Sequence, residues 1–184
     1  MNSIAVIGSG NAFFKDEGAG LYAAKFLKEN YDFSEPVEIV DGGTLGFKLM
    51  PLLQEFDTVL IVNTSSDEGA LPGTVTVRDC DDFLEGSRIK KTANEVEIAE
   101  MLQICSLTER MAETTVISII PEDIISVEVG LSRRLRSSWE HYIGTILAVL
   151  HSAGVTAERR SGGVSLDEVL HTFAEPSVEH GRGF

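Results

Sequence analysis

Short apolar runs alternate along the chain with segments of helical periodicity. Residues 3–7, 58–62 and 114–120 are almost continuously apolar, a pattern typical of strands buried on both faces of a parallel sheet. Residues 36–41 predict a further strand, and residues 74–77 alternate between polar and apolar side chains as a strand does. The chain therefore predicts at least five strands.

Four segments between these runs have the spacing of amphipathic helices, at 17–29, 45–55, 93–106 and 131–150. The last is the longest, and its apolar residues fall on one stripe. Strands that alternate with helices predict an α/β fold, with a mostly parallel, twisted sheet and helices on both faces in three layers.

A glycine-rich hinge divides the chain near its end. Ser161-Gly162-Gly163 follows two arginines and is typical of a flexible connection. We therefore predict one domain over residues 1–158, and a flexible C-terminal tail over residues 159–184.

Composition narrows the classes of partner. The 184 residues carry a formal charge of −14. Such an excess of acid argues against nucleic-acid binding and against docking on anionic membranes. No apolar run reaches the roughly 18 residues that a membrane helix needs, and the N-terminal segment lacks the basic start of a signal peptide. A cytoplasmic protein is the expectation.

Polar or glycine-rich residues follow three of the predicted strands. In open α/β sheets, ligands bind at the carboxyl ends of the strands, so these loops predict the site. The loops are Gly8-Ser9-Gly10-Asn11, Asp41-Gly42-Gly43-Thr44 and Asn63-Thr64-Ser65-Ser66. A dinucleotide fingerprint is incomplete in the first loop, because its third glycine is replaced by Phe13.

Two neighbouring carboxylates, Asp16 and Glu17, begin the first predicted helix. They are equally consistent with helix capping and with a functional site. Capping does not explain Gly18 and Gly20 in the first turn, since each glycine costs about 1 kcal/mol relative to alanine. We expect these glycines to permit a close approach. Asp41 has two interpretations as well, as a helix cap or as a site residue.

The order of three motifs resembles the hydrogenase maturation endopeptidases. The motifs are Gly8-x-Gly10-Asn11, Asp16-Glu17-Gly18-x-Gly20 and Asp41-Gly42-Gly43-Thr44, and the resemblance extends over residues 3–158. It implies a three-layer fold of the phosphorylase/hydrolase-like kind. It also implies cleavage of one peptide bond near the C-terminus of a nickel–iron hydrogenase large-subunit precursor.

The resemblance also implies a recognition site for nickel that the precursor itself carries. Such proteases read the metal through a Glu, an Asp and a His. Glu17 stands at the Glu position, but Asn63 and Asn94 stand at the other two, and the first histidine of the chain is His141. An asparagine offers only a neutral amide oxygen, so this set would bind nickel weakly by itself.

Three hypotheses follow. The first is an active endopeptidase with an altered site, which combines Glu17 with Asp16, Asp41 or Asp67; no catalytic nucleophile is evident from the sequence. The second is a non-catalytic assembly factor or chaperone that binds the large subunit. The third is a small-molecule-binding α/β protein that shares only the scaffold. Asn11, Gly42 and Gly43 are further site candidates. The two glycines would allow a bound backbone to lie close to the protein.

Overall fold

A five-stranded sheet forms the centre of the molecule. The computed structural model describes residues 2–86 and 92–175. The strands are β1 (Ile4–Ser9), β3 (Val37–Gly43), β4 (Thr58–Thr64), β5 (Val75–Asp79) and β6 (Glu113–Ile119), in the order β3-β1-β4-β6-β5. Only β5 runs antiparallel to its neighbour. The predicted mostly parallel sheet is confirmed.

Alternate side chains of the buried strands enter two separate cores. On β1, Ile4 and Val6 face one layer of helices, whereas Ala5 and Ile7 face the other. The first layer consists of α1 (Ala19–Asn30), α5 (Arg133–Ser152) and α6 (Leu166–Ala174). The second consists of α2 (Met50–Glu55), α3 (Cys80–Glu85) and α4 (Ala93–Cys105). This is the predicted three-layer architecture.

Shorter elements complete the chain. Two 3-10 turns, Lys15–Gly18 and Gly46–Leu49, lead into α1 and α2. A separate antiparallel ribbon pairs β2 (Tyr31–Phe33) with β7 (Ala157–Arg159). Across the described residues, no helix is long and apolar enough to span a membrane.

The C-terminal region departs from the expected flexible tail. The predicted domain boundary at residue 158 falls inside β7, and Arg160 N donates a hydrogen bond to the Asn30 carbonyl. Beyond it, α6 buries Val169 and Leu170 in the first core. Residues 159–175 therefore contact residues 1–158 through β7 and the apolar face of α6, and the boundary at residue 158 stays a prediction. Residues 176–184 lie outside the described residues.

Candidate functional site

The carboxyl ends of the strands form the candidate site, as their polar loops predict. Strand β3 lies on one side of β1, and β4, which follows β3 in the chain, lies on the other side of β1. Crevices open at such a switch in strand order. A cleft of about 290 Å³ lies here, which we call the Glu17 cleft. Its lining includes Asn11, Phe14, Glu17, Thr44, Asn94 and Ile124.

Glu17 contributes a nearly buried carboxylate to this cleft. Its exposed fraction is only 8%. Burial, and secondarily the negative charge of Glu95, raise the pKa of Glu17 above its usual value. A carboxylate in this setting favours any species that neutralises it, whether a proton or a cation.

Asn94 lies in the same cleft, at the start of α4. Its amide oxygen accepts a hydrogen bond from the Ser9 hydroxyl at 3.0 Å, and its amide nitrogen donates to the Gly43 carbonyl at 3.2 Å. The side chain thus joins the ends of β1 and β3. The structure therefore brings together two of the three residues that the resemblance assigned to metal recognition.

Asn63, the third, is buried in β4 and does not line the cleft. Its amide oxygen accepts a hydrogen bond from the Ser118 hydroxyl at 2.6 Å. Its amide nitrogen is buried without a hydrogen-bond partner among the described residues. Within that part of the chain, no group of three or more His, Cys, Asp or Glu residues could hold a metal ion.

Asp16 has a structural role that neither sequence interpretation included. The side chain is fully buried and accepts three backbone hydrogen bonds, from Glu122 and Asp123 at 2.9 Å and from Ser132 at 2.6 Å. Asp16 therefore fastens the loop after β6 and the start of α5 to the loop after β1. It does not cap α1, whose N-cap residue is Gly18.

Glycines of the second and third motifs do permit a close approach, but the approaching group is this chain itself. A Cβ at Gly20 would collide with the carbonyl oxygens of Ser9 and Val62. Likewise, a Cβ at Gly42 would lie 2.7 Å from the Gly8 carbonyl oxygen. These positions let α1 and the end of β3 pack directly against the central strands. Space for a substrate is not required to explain them.

The remaining candidates differ in whether they line the Glu17 cleft. Asn11 lines the cleft and accepts a hydrogen bond from Phe13 N at 3.0 Å. Asp41 and Gly43 line a second, adjacent groove. Asp67 forms an ion pair with Arg78 at 2.7 Å and does not line the cleft.

The sequence did not single out two acidic residues near this site: Glu97 lines the cleft, and Glu95 is buried beside it. Only 1% of Glu95 is exposed, and it accepts hydrogen bonds from the Ser65 hydroxyl and from the backbone and hydroxyl of Ser66. In sequence, Thr92-x-x-Glu95 has the pattern of a capping box. That pattern suggests a solvent-exposed capping role, whereas the side chain extends to the loop after β4.

Comparisons with known proteins agree on one family. A family model described as HycI, hydrogenase maturation protease, matches residues 21–149. The hydrogenase expression/formation protein HupD of Rhodobacter capsulatus is 40% identical, over 97% of this chain and 85% of its own length. The hydrogenase 2 maturation protease of Escherichia coli K12 is 27% identical, over 84% of this chain and 94% of its own length.

Solved structures give the same result. The hydrogenase maturating endopeptidase HybD from E. coli superimposes with a TM-score of 0.79 at 26% identity. The match covers 86% of this chain and 98% of HybD. The shared architecture extends over nearly all of that relative.

Proposed function

This chain belongs to the hydrogenase maturation protease family, and from that premise we propose that it removes the C-terminal peptide of a nickel–iron hydrogenase large-subunit precursor. In this function it acts as an endopeptidase, and the precursor is its protein partner. The family membership disfavours the small-molecule hypothesis, because most of the chain aligns with maturation proteases.

The observation that carries this proposal is the buried carboxylate of Glu17 at the cleft, with that of Glu95 buried near it. Glu17 opens onto the cleft, and the negative charge of Glu95 acts on it. Two desolvated acids concentrate negative potential in an open crevice, and such a crevice attracts a cation. A precursor that presents nickel would supply that cation as part of the substrate.

The residues present do not form a resident metal site. The amide oxygens of Asn63 and Asn94 already accept hydrogen bonds from serine hydroxyls, and neutral amides are weak nickel ligands. We propose that Glu17 alone, of the three positions, contacts the nickel that the precursor carries. Asn94 holds the loops after β1 and β3 in place around it.

The same amides favour one second candidate, a non-catalytic assembly factor. A chain with a charged ligand at only one of the three recognition positions binds a nickel-loaded partner less tightly than one with a full ligand set. Such a protein would still dock on the large subunit through its surface. Binding without cleavage distinguishes this function from the first.

We also propose that the protein acts in the cytoplasm. The apolar N-terminal segment forms β1, the strand between β3 and β4, and is therefore part of the folded domain.

Intact mass spectrometry of the large-subunit precursor from the same source tests these functions. The precursor is incubated with the protein in nickel-loaded and nickel-free forms, and the Glu17→Gln variant serves as the matched control. We expect loss of a C-terminal fragment only from the nickel-loaded precursor with the wild-type protein. An unchanged mass with stable complex formation would favour the assembly factor, and neither cleavage nor binding would contradict both functions.

A further inference from the structure

A second groove, of about 360 Å³, adjoins the Glu17 cleft. Asn11 and Thr44 line both, so the two are continuous. We call it the α6 groove, because the C-terminal end of α6 forms one wall. Its apolar lining comes from Phe13, Leu21, Leu45, Val129, Phe173 and Ala174.

The wall that α6 provides is firmly held. Ser165 and Glu168 form a reciprocal capping box at its start, and Val169 and Leu170 are buried in the core. Phe173 packs edge-on against Tyr22, with ring centroids 5.1 Å apart. The groove is thus preformed, which lowers the entropic cost of binding. The helix also lies beyond residue 149, where the match to the family model ends.

The groove presents apolar side chains to water. Phe13 is 55% exposed and Leu45 is 47% exposed, and both lie in loops that follow strands of the site. Apolar patches of this kind in soluble proteins mark interaction sites. Because the groove continues into the Glu17 cleft, its occupant is expected to be part of the same ligand.

We propose that the α6 groove binds the C-terminal extension of the precursor as an extended, non-acidic segment with apolar side chains. This inference rests on the proposed function. An extended chain advances about 3.3 Å per residue, so a few residues beyond the bond at the cleft span the groove. A folded domain does not fit such a volume, whereas a short peptide does. With 29 acidic residues against 15 basic ones, the protein disfavours an acidic segment there.

The consequence is that α6 contributes to the choice of precursor. Apolar side chains of the extension pack against Phe13, Leu45 and Phe173, while the bond to be cleaved lies at the cleft. Peptide recognition commonly takes affinity from the backbone and specificity from such side-chain pockets. Precursors with acidic extensions are expected to be poor substrates.

Filling the groove tests this assignment. In the full-length protein, Ala174→Trp places a bulky side chain in the groove, and Phe13→Ala removes an exposed apolar contact without filling anything. His171→Trp is the matched control, because His171 is exposed on the same helix and does not line the groove. Processing of the precursor gives kcat and KM. Fluorescence anisotropy with a labelled synthetic peptide of the extension gives Kd.

We expect both groove variants to raise KM and peptide Kd by about tenfold or more, with kcat and Tm unchanged, since they remove binding alone. His171→Trp should behave like wild type. If Ala174→Trp has the KM and peptide Kd of the wild type, the groove does not bind the extension. The proposed function would be unaffected by that result. If the wild type does not process the precursor, the proposed function fails, and the peptide Kd values still decide the groove. Tighter peptide binding by a chain that ends at Glu175 would assign the groove to residues 176–184 and overturn the proposal.

Discussion

Ionisation of Glu17 in its nearly buried position, with the negative charge of Glu95 acting on it, costs folding free energy. The folded state raises the pKa of Glu17 above 4.5, so the proton is held more tightly in the folded than in the unfolded chain. The resulting stabilisation is fully present below pH 4.5 and is lost as the pH rises through the folded pKa. A site residue that destabilises its own fold at neutral pH points to function.

The Glu17→Gln variant should therefore be more stable than the wild type at pH 7, while precursor processing is lost. The two melting temperatures should converge below pH 4.5, where Glu17 is protonated in the wild type. Thermal unfolding by circular dichroism between pH 3 and 8 checks this, with the exposed Glu100→Gln as control. A lower Tm for Glu17→Gln at pH 7 would favour a structural role instead.

The neighbouring Asp16 should behave in the opposite way. Asp16→Asn replaces one acceptor oxygen by an amide that faces backbone N–H donors. It should destabilise the protein by about 3 kcal/mol or more, because buried donors lose a charged partner. Urea denaturation measures the change. The exposed Asp81→Asn on α3 should cost no more than about 1 kcal/mol, and equal effects in both variants would contradict the fastening role of Asp16.

The two asparagines allow a direct test of metal recognition. In the double variant Asn63→Asp with Asn94→His, the buried and unpartnered amide nitrogen of Asn63 becomes a second carboxylate oxygen, which needs a cation. Added Ni²⁺ should raise the Tm of the double variant and leave the wild type unchanged, and Mg²⁺ is the control ion. No effect of Ni²⁺ on the double variant would show that these positions do not mark a nickel site.

For individual residues, the sequence predicted well which ones lie at the site, and it predicted their roles less well. Glu17, Asn94 and Asn11 do line one cleft. The structural role of Asp16 depends on hydrogen bonds to residues more than 100 positions away, which no local pattern encodes. Glu95 was missed for the same reason, since its partners come from the loop after β4.

The helices and strands with a clear hydrophobic pattern were predicted well from the sequence. Strands β1, β4 and β6 are continuous apolar runs, and α5 has a complete apolar stripe. Helix α3 has a weaker pattern, because Phe83 is its one fully buried side chain, while Cys80 and Leu84 are only partly buried against the second core. The β2–β7 ribbon joins segments far apart in sequence and gave no local signal.

Helix α6 provides the sharpest test of the domain boundary. Leu170→Ala should destabilise the protein by about 2–5 kcal/mol, because it empties part of the first core. A flexible tail would show no change. Urea denaturation measures the difference, and His171→Ala, on the exposed face of the same helix, should have almost no effect. Equal stability of Leu170→Ala and wild type would restore the boundary predicted at residue 158.

Over the whole molecule, the sheet is shared by both cores. Strands β1, β4 and β6 contribute side chains to both cores. If the helices on one face unfold, that face of the shared sheet becomes exposed to water. The salt bridges of the described residues join mostly exposed side chains, such as Arg136–Asp167 and Arg160–Asp32, and exposed pairs contribute little. Burial on both faces of one sheet therefore dominates stability.

This sharing predicts a single cooperative unfolding transition. Trp139, the only tryptophan, is buried in the first core between Phe26 and Tyr142, so its fluorescence reports on the layer that contains α6. Far-ultraviolet circular dichroism reports on all helices. In urea the two signals should give coincident curves, and Leu170→Ala should shift both midpoints equally. An earlier fluorescence transition would mean that the layer of α1, α5 and α6 unfolds by itself, so that the α6 groove opens without loss of the sheet.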